Sequence, residues 1–148
     1  MQQSNRLQKL LEIEQLQQEQ AGALMQQCKQ EYEAAHAMHG QLKVHKQHYL
    51  EKLAIARSGQ STPEMLNNLL SFLSSIEEAL QRQQQQIENA ANNLTKSRDL
   101  WQRKHQRCDS LHKLINRHRR NEVKQEQKHA EKKLDDIFAS RADLSQVY

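Results

Sequence analysis

Eight histidines and two cysteines are the residues of this 148-residue chain with ligand or nucleophile chemistry. His36 with His39, and His45 with His48, are spaced to put two imidazoles on one helix face, where they could clip a metal ion. No Cys or carboxylate constellation accompanies either pair, so the residues read as surface histidines and no metal site is expected. Cys28 and Cys108 form no Cys-x-x-Cys pair and outline no disulfide framework. Glycines at 22, 40 and 59 are too scattered to build a phosphate-cradling loop, and no G-x-G-x-x-G occurs. Catalysis needs a nucleophile, a base and an orienting acid gathered in a cleft. The chain supplies no such set, so neither an enzyme nor a cofactor is expected. The remaining chemistry is that of contact between charged and apolar surfaces.

The element that must present those surfaces is written most plainly after Pro63. Leu66, Leu73, Leu80, Ile87, Leu94, Trp101, Cys108 and Ile115 recur every seven residues, with Leu69, Ile76, Gln83, Ala90, Ser97, Lys104, Leu111 and His118 at offsets of three. An unbroken repeat of seven predicts one long helix buried along a single seam of a left-handed coiled coil. Composition agrees. Only 36% of residues are hydrophobic and 4% aromatic, and the mean hydropathy is -1.03, too polar for a thick core but suited to a thin seam between helices. No stretch approaches the roughly 20 apolar residues that cross a bilayer, and the N-terminus has no apolar run after its charge. The expectation is therefore a soluble, cytoplasmic protein without a transmembrane segment. The net charge of +4 is compatible with acidic partners without demanding them.

A second register precedes Pro63, carried by Leu7, Leu11, Ala21, Met25, Cys28, Tyr32, Ala35, His39, Leu42, Lys46, Tyr49, Leu53 and Ala56, with Glu14 and Gln18 filling its gap. The two registers are separated by Ser58 to Thr62. Gly59 can take the left-handed conformation that ends a helix, Thr62 can cap the next one, and Pro63 suits its first position. A short connection between two heptad helices makes them antiparallel. The predicted fold is all-α, one antiparallel two-helix coiled-coil hairpin over residues 1–148, with a helix from about 4 to 57, a turn at 58–62, a helix from about 63 to 140, and an overhanging C-terminal segment. Pairing seam with seam places Tyr49 beside Leu73, Leu7 beside Ile115, Trp101 on Ala21 next to Gly22, His39 opposite Gln83 and Gln18 opposite Lys104. Cys108 then faces Glu14 while Cys28 lies roughly 20 Å further along, out of disulfide reach.

Two surfaces exceed what the seam needs. Past Ile115 the helix continues without a partner, rich in Arg117, Arg119, Arg120, Lys124, Lys128, Lys132 and Lys133 interspersed with acids, and Leu134, Ile137 and Phe138 repeat at three and four as a docking stripe. Near the turn, Met65, Phe72, Ala79, Leu70, Leu24, Met38, His45 and Leu50 widen the apolar face beyond the seam, the mark of a partner site, a third helix or a dimer contact. Nucleic acid competes for the basic tail. A basic-zipper reader, however, places its charges before a parallel zipper, and the acids and missing aromatics argue against base stacking.

Residues 101–107, Trp-Gln-Arg-Lys-His-Gln-Arg, and the tail with Gln127-Lys128 and Lys132-Lys133-Leu134-Asp135-Asp136-Ile137-Phe138-Ala139-Ser140-Arg141 resemble the flagellar export protein family FliJ, over nearly the whole chain. The resemblance implies the central stalk of a type III export ATPase complex, similar in shape to the coiled coil of a rotary ATPase gamma subunit. It implies, as partners, the hexameric export ATPase FliI, entered by the chain ends, and the cytoplasmic domain of the export gate protein FlhA, met by the shaft near the turn, with FliH and substrate chaperones as further candidates. The gate-facing residues that carry over are Leu42, His45, Tyr49, Phe72, Ile76, Ala79 and Gln83. The ring-facing ones are Arg117, Arg120, Lys124, Lys128, Lys132, Lys133, Leu134 and Phe138. The implied location is the cytoplasmic side of the inner membrane at the flagellar base, in service of motility. The equivalent stalk of a virulence injectisome and a nucleic-acid-associated coiled coil are the alternatives.

Overall fold

The computed structural model describes residues 2–59 and 61–147, leaving Met1, Gln60 in the expected turn, and Tyr148 outside the described residues. Two helices account for it, α1 over Gln2–Ser58 and α2 over Pro63–Val147, with no strand among the described residues. Glutamine, glutamate, lysine, alanine and leucine dominate both helices, and each loses little rotamer freedom in a helix. The only proline stands at the first position of α2, where its missing N–H costs nothing. The hydroxyl of Thr62 accepts the Met65 N–H at 3.3 Å and its carbonyl accepts the Leu66 N–H at 3.2 Å, so Thr62 is the predicted cap. Helix α2 continues seven residues past its expected end, because Arg141, Ala142 and Leu144 are helix formers and no glycine or proline interrupts them.

The end of α1 differs from expectation. No described glycine has a positive φ, so Gly59 does not form a left-handed cap. The Ser58 hydroxyl donates to the Ile55 carbonyl at 3.0 Å, satisfying an acceptor that a left-handed residue would otherwise have reached with its own N–H. A Cβ at Gly59 would sit 3.4 Å from that same carbonyl oxygen, an ordinary contact distance.

The chain packs as two compact parts, Met1–Glu19 with Arg103–Tyr148, and Gln20–Gln102. In each part a segment of α1 lies antiparallel to a segment of α2. Every seam position named from the sequence is buried or half-buried, while most positions between them are exposed. In the part holding both chain ends, Leu11, Cys108, Leu111 and Ile115 form the core with Leu7 packed against it. A row of cross-helix bonds fixes their register: Ser4 to Glu122 at 2.9 Å, Arg119 to Gln8 at 3.4 Å, and the Gln15 amide 3.4 Å from the His112 ring. Helix α1 therefore accompanies α2 as far as Glu122, one heptad beyond Ile115, because Ser4 fills one more layer.

In the other part, Ala21, Cys28, Leu53, Leu73, Ile87 and Leu94 are buried. Gly22 lets the Trp101 indole approach to 3.4 Å from where a Cβ would stand, as the register argument required. Gly40, by contrast, is exposed in mid-helix with nothing within 4 Å of a Cβ. Gly40→Ala should stabilise the hairpin by about 1 kcal/mol, since it removes unfolded-chain freedom at no steric cost. Urea unfolding followed by circular dichroism checks this, and a midpoint unchanged or lowered would contradict it.

Candidate interaction surfaces

The ends of the hairpin carry a polar layer within their seam. Glu14 is only 5% exposed, yet its carboxylate lies 3.5 Å from the Lys104 ammonium and 3.1 Å from the Arg107 guanidinium. Lys104 also donates to Gln17 at 2.6 Å, and the Gln18 amide lies 3.2 Å from the His105 ring. Within the layers that set Gln18 opposite Lys104, the lysine reaches Gln17 and the buried carboxylate while Gln18 meets the histidine. Such a layer contributes little net stability but penalises any register that strands the carboxylate. Cys108 sits against it. Burial raises the thiol pKa above its ordinary value, and the charge of Glu14 adds to the rise, so Cys108 is an unreactive core residue.

Beyond Glu122 every described residue of α2 through Leu144 is exposed. The seam row of Cys108 and Ile115 would continue through polar residues, His129, Asp136 and Asp143. Val123, Ala130, Ile137 and Leu144 instead repeat every seven residues one position later, which turns the apolar stripe by about 80–100° around the helix. Leu134 and Phe138 border this stripe, and both are exposed. Any partner of the stripe therefore approaches from a different side than α1 does. The sequence signal was the strict spacing of seven from Val123, which the close grouping of Leu134, Ile137 and Phe138 obscures. Of the ring-facing candidates, Arg117, Arg120, Lys124 and Lys128 share one face of α2, whereas Lys132 and Lys133 point progressively away from it.

The seven gate-facing candidates divide. Leu42, Tyr49, Ile76 and Gln83 belong to the seam and are half-buried, Ala79 is half-buried beside it, and His45 and Phe72 are exposed. The Gln83 amide donates to the Ala35 carbonyl at 2.9 Å, not to His39 as its register position suggests, because that carbonyl one turn away is within reach of its flexible side chain. Phe72 stacks on Tyr49 with ring centres 5.6 Å apart and planes 17° from parallel. The two rings form one wall of an apolar groove of about 630 Å³ that continues over Ile55, Ala56, Met65 and Leu69 to the turn. Ile55, 72% exposed, was missed from the sequence, although a β-branched apolar residue at an outward heptad position was the available clue. The paired histidines are used otherwise: His36 meets the Tyr32 ring edge-on at 4.7 Å and His48 meets Tyr49 at 6.3 Å. Among the described residues no group of three or more His, Cys, Asp or Glu is placed to hold a metal, and no helix is long and apolar enough to cross a membrane.

No curated protein and no solved structure matches the chain. A family model described as Flagellar FliJ protein does, over residues 2–146. With essentially the whole hairpin covered by that match, the chain belongs to the flagellar FliJ family and is a component related to flagellar protein export.

Proposed function

We propose that the chain is the central stalk of the flagellar export ATPase complex, its paired ends entering the pore of a hexameric FliI ring and the flank near its turn meeting the cytoplasmic domain of the gate protein FlhA. The observation that carries this reading is the helix from Val123 to Leu144, exposed on all sides and studded with cations, in the part of the molecule that holds both chain ends. A helix with no partner is marginal in water, so a surrounding protein would stabilise it. Inside a sixfold pore an asymmetric helix touches the subunits unequally and favours one set of their conformations at a time, which promotes assembly and hydrolysis without chemistry of its own.

Arg117, Arg120, Lys124, Lys128, Lys132, Lys133, Leu134 and Phe138 would meet the ring. Phe72, His45 and Ala79, with the accessible edges of Leu42, Tyr49, Ile76 and Gln83, would meet the gate. The protein would then act on the cytoplasmic side of the membrane at the flagellar base, with FliH and substrate chaperones as further contacts. The flagellar family match supports this assignment over an injectisome stalk.

Reversing Lys132 and Lys133 to Glu together should reduce stimulation of the purified ATPase at least about threefold at low salt while leaving helicity unchanged, since both side chains are exposed. Full stimulation by the double variant would remove the distal tail from the contact.

A further inference from the structure

The back of α2, opposite the seam that binds α1, carries a row of cations with a regularity the hairpin itself does not use. Lys113, Arg117, Arg120, Lys124 and Lys128 follow one another at intervals of four, three, four and four. At 100° and 1.5 Å per residue they fall within about 80° of the helix circumference and extend about 22 Å. All five are exposed, and none has an ion pair among the described residues. No acid interrupts the row, which is bounded by Asp109 before it and Glu131 after it. The two acids within its length, Glu122 and Glu126, lie on the far side, Glu122 accepting the Ser4 hydroxyl at 2.9 Å. Lys113, Arg117, Arg120 and Lys124, with the amides of Asn116 and Asn121, line a shallow groove of about 390 Å³.

We propose that this row is a docking track for an acidic α-helix of a partner protein, whose carboxylates at spacings of three and four meet the five cations while Asn116 and Asn121 bond those between them. The inference rests on the reading that this end of the hairpin enters a partner, and it adds the chemistry of the surface met there. It also brings in Lys113 and sets Lys132 and Lys133 apart from the track. A helix is the matching occupant because a single narrow row pairs with one helix face. Nucleic acid would call for cations over a wider arc and for aromatic residues to stack on bases, and residues 113–128 contain no Phe, Tyr or Trp. Like-charged side chains a turn apart repel one another, so an acidic partner also relieves a strain internal to α2.

The test uses the full chain and a variant with Lys113, Arg117, Arg120, Lys124 and Lys128 all changed to Gln, a helix former at exposed positions, with the fold checked by circular dichroism. A fluorescent alanine-based helical peptide bearing glutamates on one face should bind the parent chain saturably, more weakly as salt rises, and at least about tenfold more weakly to the five-Gln variant. A control with only Lys132 and Lys133 changed to Gln should bind it as the parent does. No binding to the parent, equal binding to the five-Gln variant, or tighter binding of a random-sequence DNA oligonucleotide at the same salt overturns the proposal. The purified ATPase ring separates the two readings. If it binds parent and five-Gln variant equally, the track and its four ring contacts are wrong while ring entry by this end stands; if the peptide binds the parent and the ring does not, the stalk is wrong and the track stands.

Discussion

Replacing Leu11 by alanine is expected to lower the thermal midpoint of the hairpin by about 10 °C, the equivalent of roughly 3 kcal/mol for a chain of this size. Leu11 is 1% exposed and sits among Leu7, Cys108, Leu111 and Ile115, a compact apolar cluster in the part that holds the chain ends. A two-helix seam has no second layer to collapse into the space, so most of the lost contact stays lost. Alanine is the best helix former, and the change therefore tests packing without a penalty on the helix itself. The comparison is Leu16→Ala, five residues along the same helix but exposed, which should shift the midpoint by no more than about 1 °C. Hydrogen exchange should place the loosening in residues 2–19 and 103–122. Equal midpoints for the two variants, or loosening elsewhere, would contradict the assigned seam.

Why Leu11 could be chosen from the sequence, and its polar neighbours could not, follows from what each residue's position depends on. Burial of Leu11, Ile87 or Leu94 is fixed by the repeat of seven, because a helix that keeps such a repeat has one face to bury. The same repeat put Trp101 beside Gly22, where the indole lies 3.4 Å from the place of a Cβ. For Lys104, Gln18 and Gln83 the repeat gives the layer but not the bonding partner. Their side chains have several rotatable bonds and span more than one layer, so each reaches an acceptor outside its own layer: Lys104 donates to Gln17 at 2.6 Å with Glu14 at 3.5 Å, and Gln83 donates to the Ala35 carbonyl. Gly59 was misread for a related reason. A glycine at a helix end permits a left-handed turn without requiring it, and the Ser58 hydroxyl had already satisfied the carbonyl in question. The charged overhang expected past Ile115 begins one heptad later, beyond Glu122, and its rotated stripe and the cation row on its back emerge only when angular positions around α2 are compared with the seam. The gate-facing set, carried over by resemblance, mixed seam residues with surface residues; burial separates them.

That separation leads to the second large effect, Phe72→Asp. Its expected result is a loss of affinity for the cytoplasmic domain of the gate protein of at least about thirtyfold, near 2 kcal/mol, with no more than about 1.5 kcal/mol lost from the hairpin. Phe72 is 55% exposed and occupies a position flanking the seam, so the hairpin does not depend on it for a core contact. What the hairpin forfeits is the stack on Tyr49, a contact of about 0.5–1.5 kcal/mol. The docking face forfeits more, because Phe72 and Tyr49 together wall the apolar groove, and a carboxylate there must stay hydrated while a partner's apolar side chain seeks to enter. Phe72→Leu retains most of the apolar area and should bind within about threefold of the parent. Ile55→Asp, at the turn end of the same groove, decides how far the contact extends: a loss comparable to that of Phe72→Asp means that the partner fills the groove to the turn, and no loss confines it to the two rings. Calorimetric titration of the gate domain with each variant measures these differences. If Phe72→Asp binds as the parent does with its helicity intact, the exposed flank has no part in gate contact and the surface near the turn must serve a different partner.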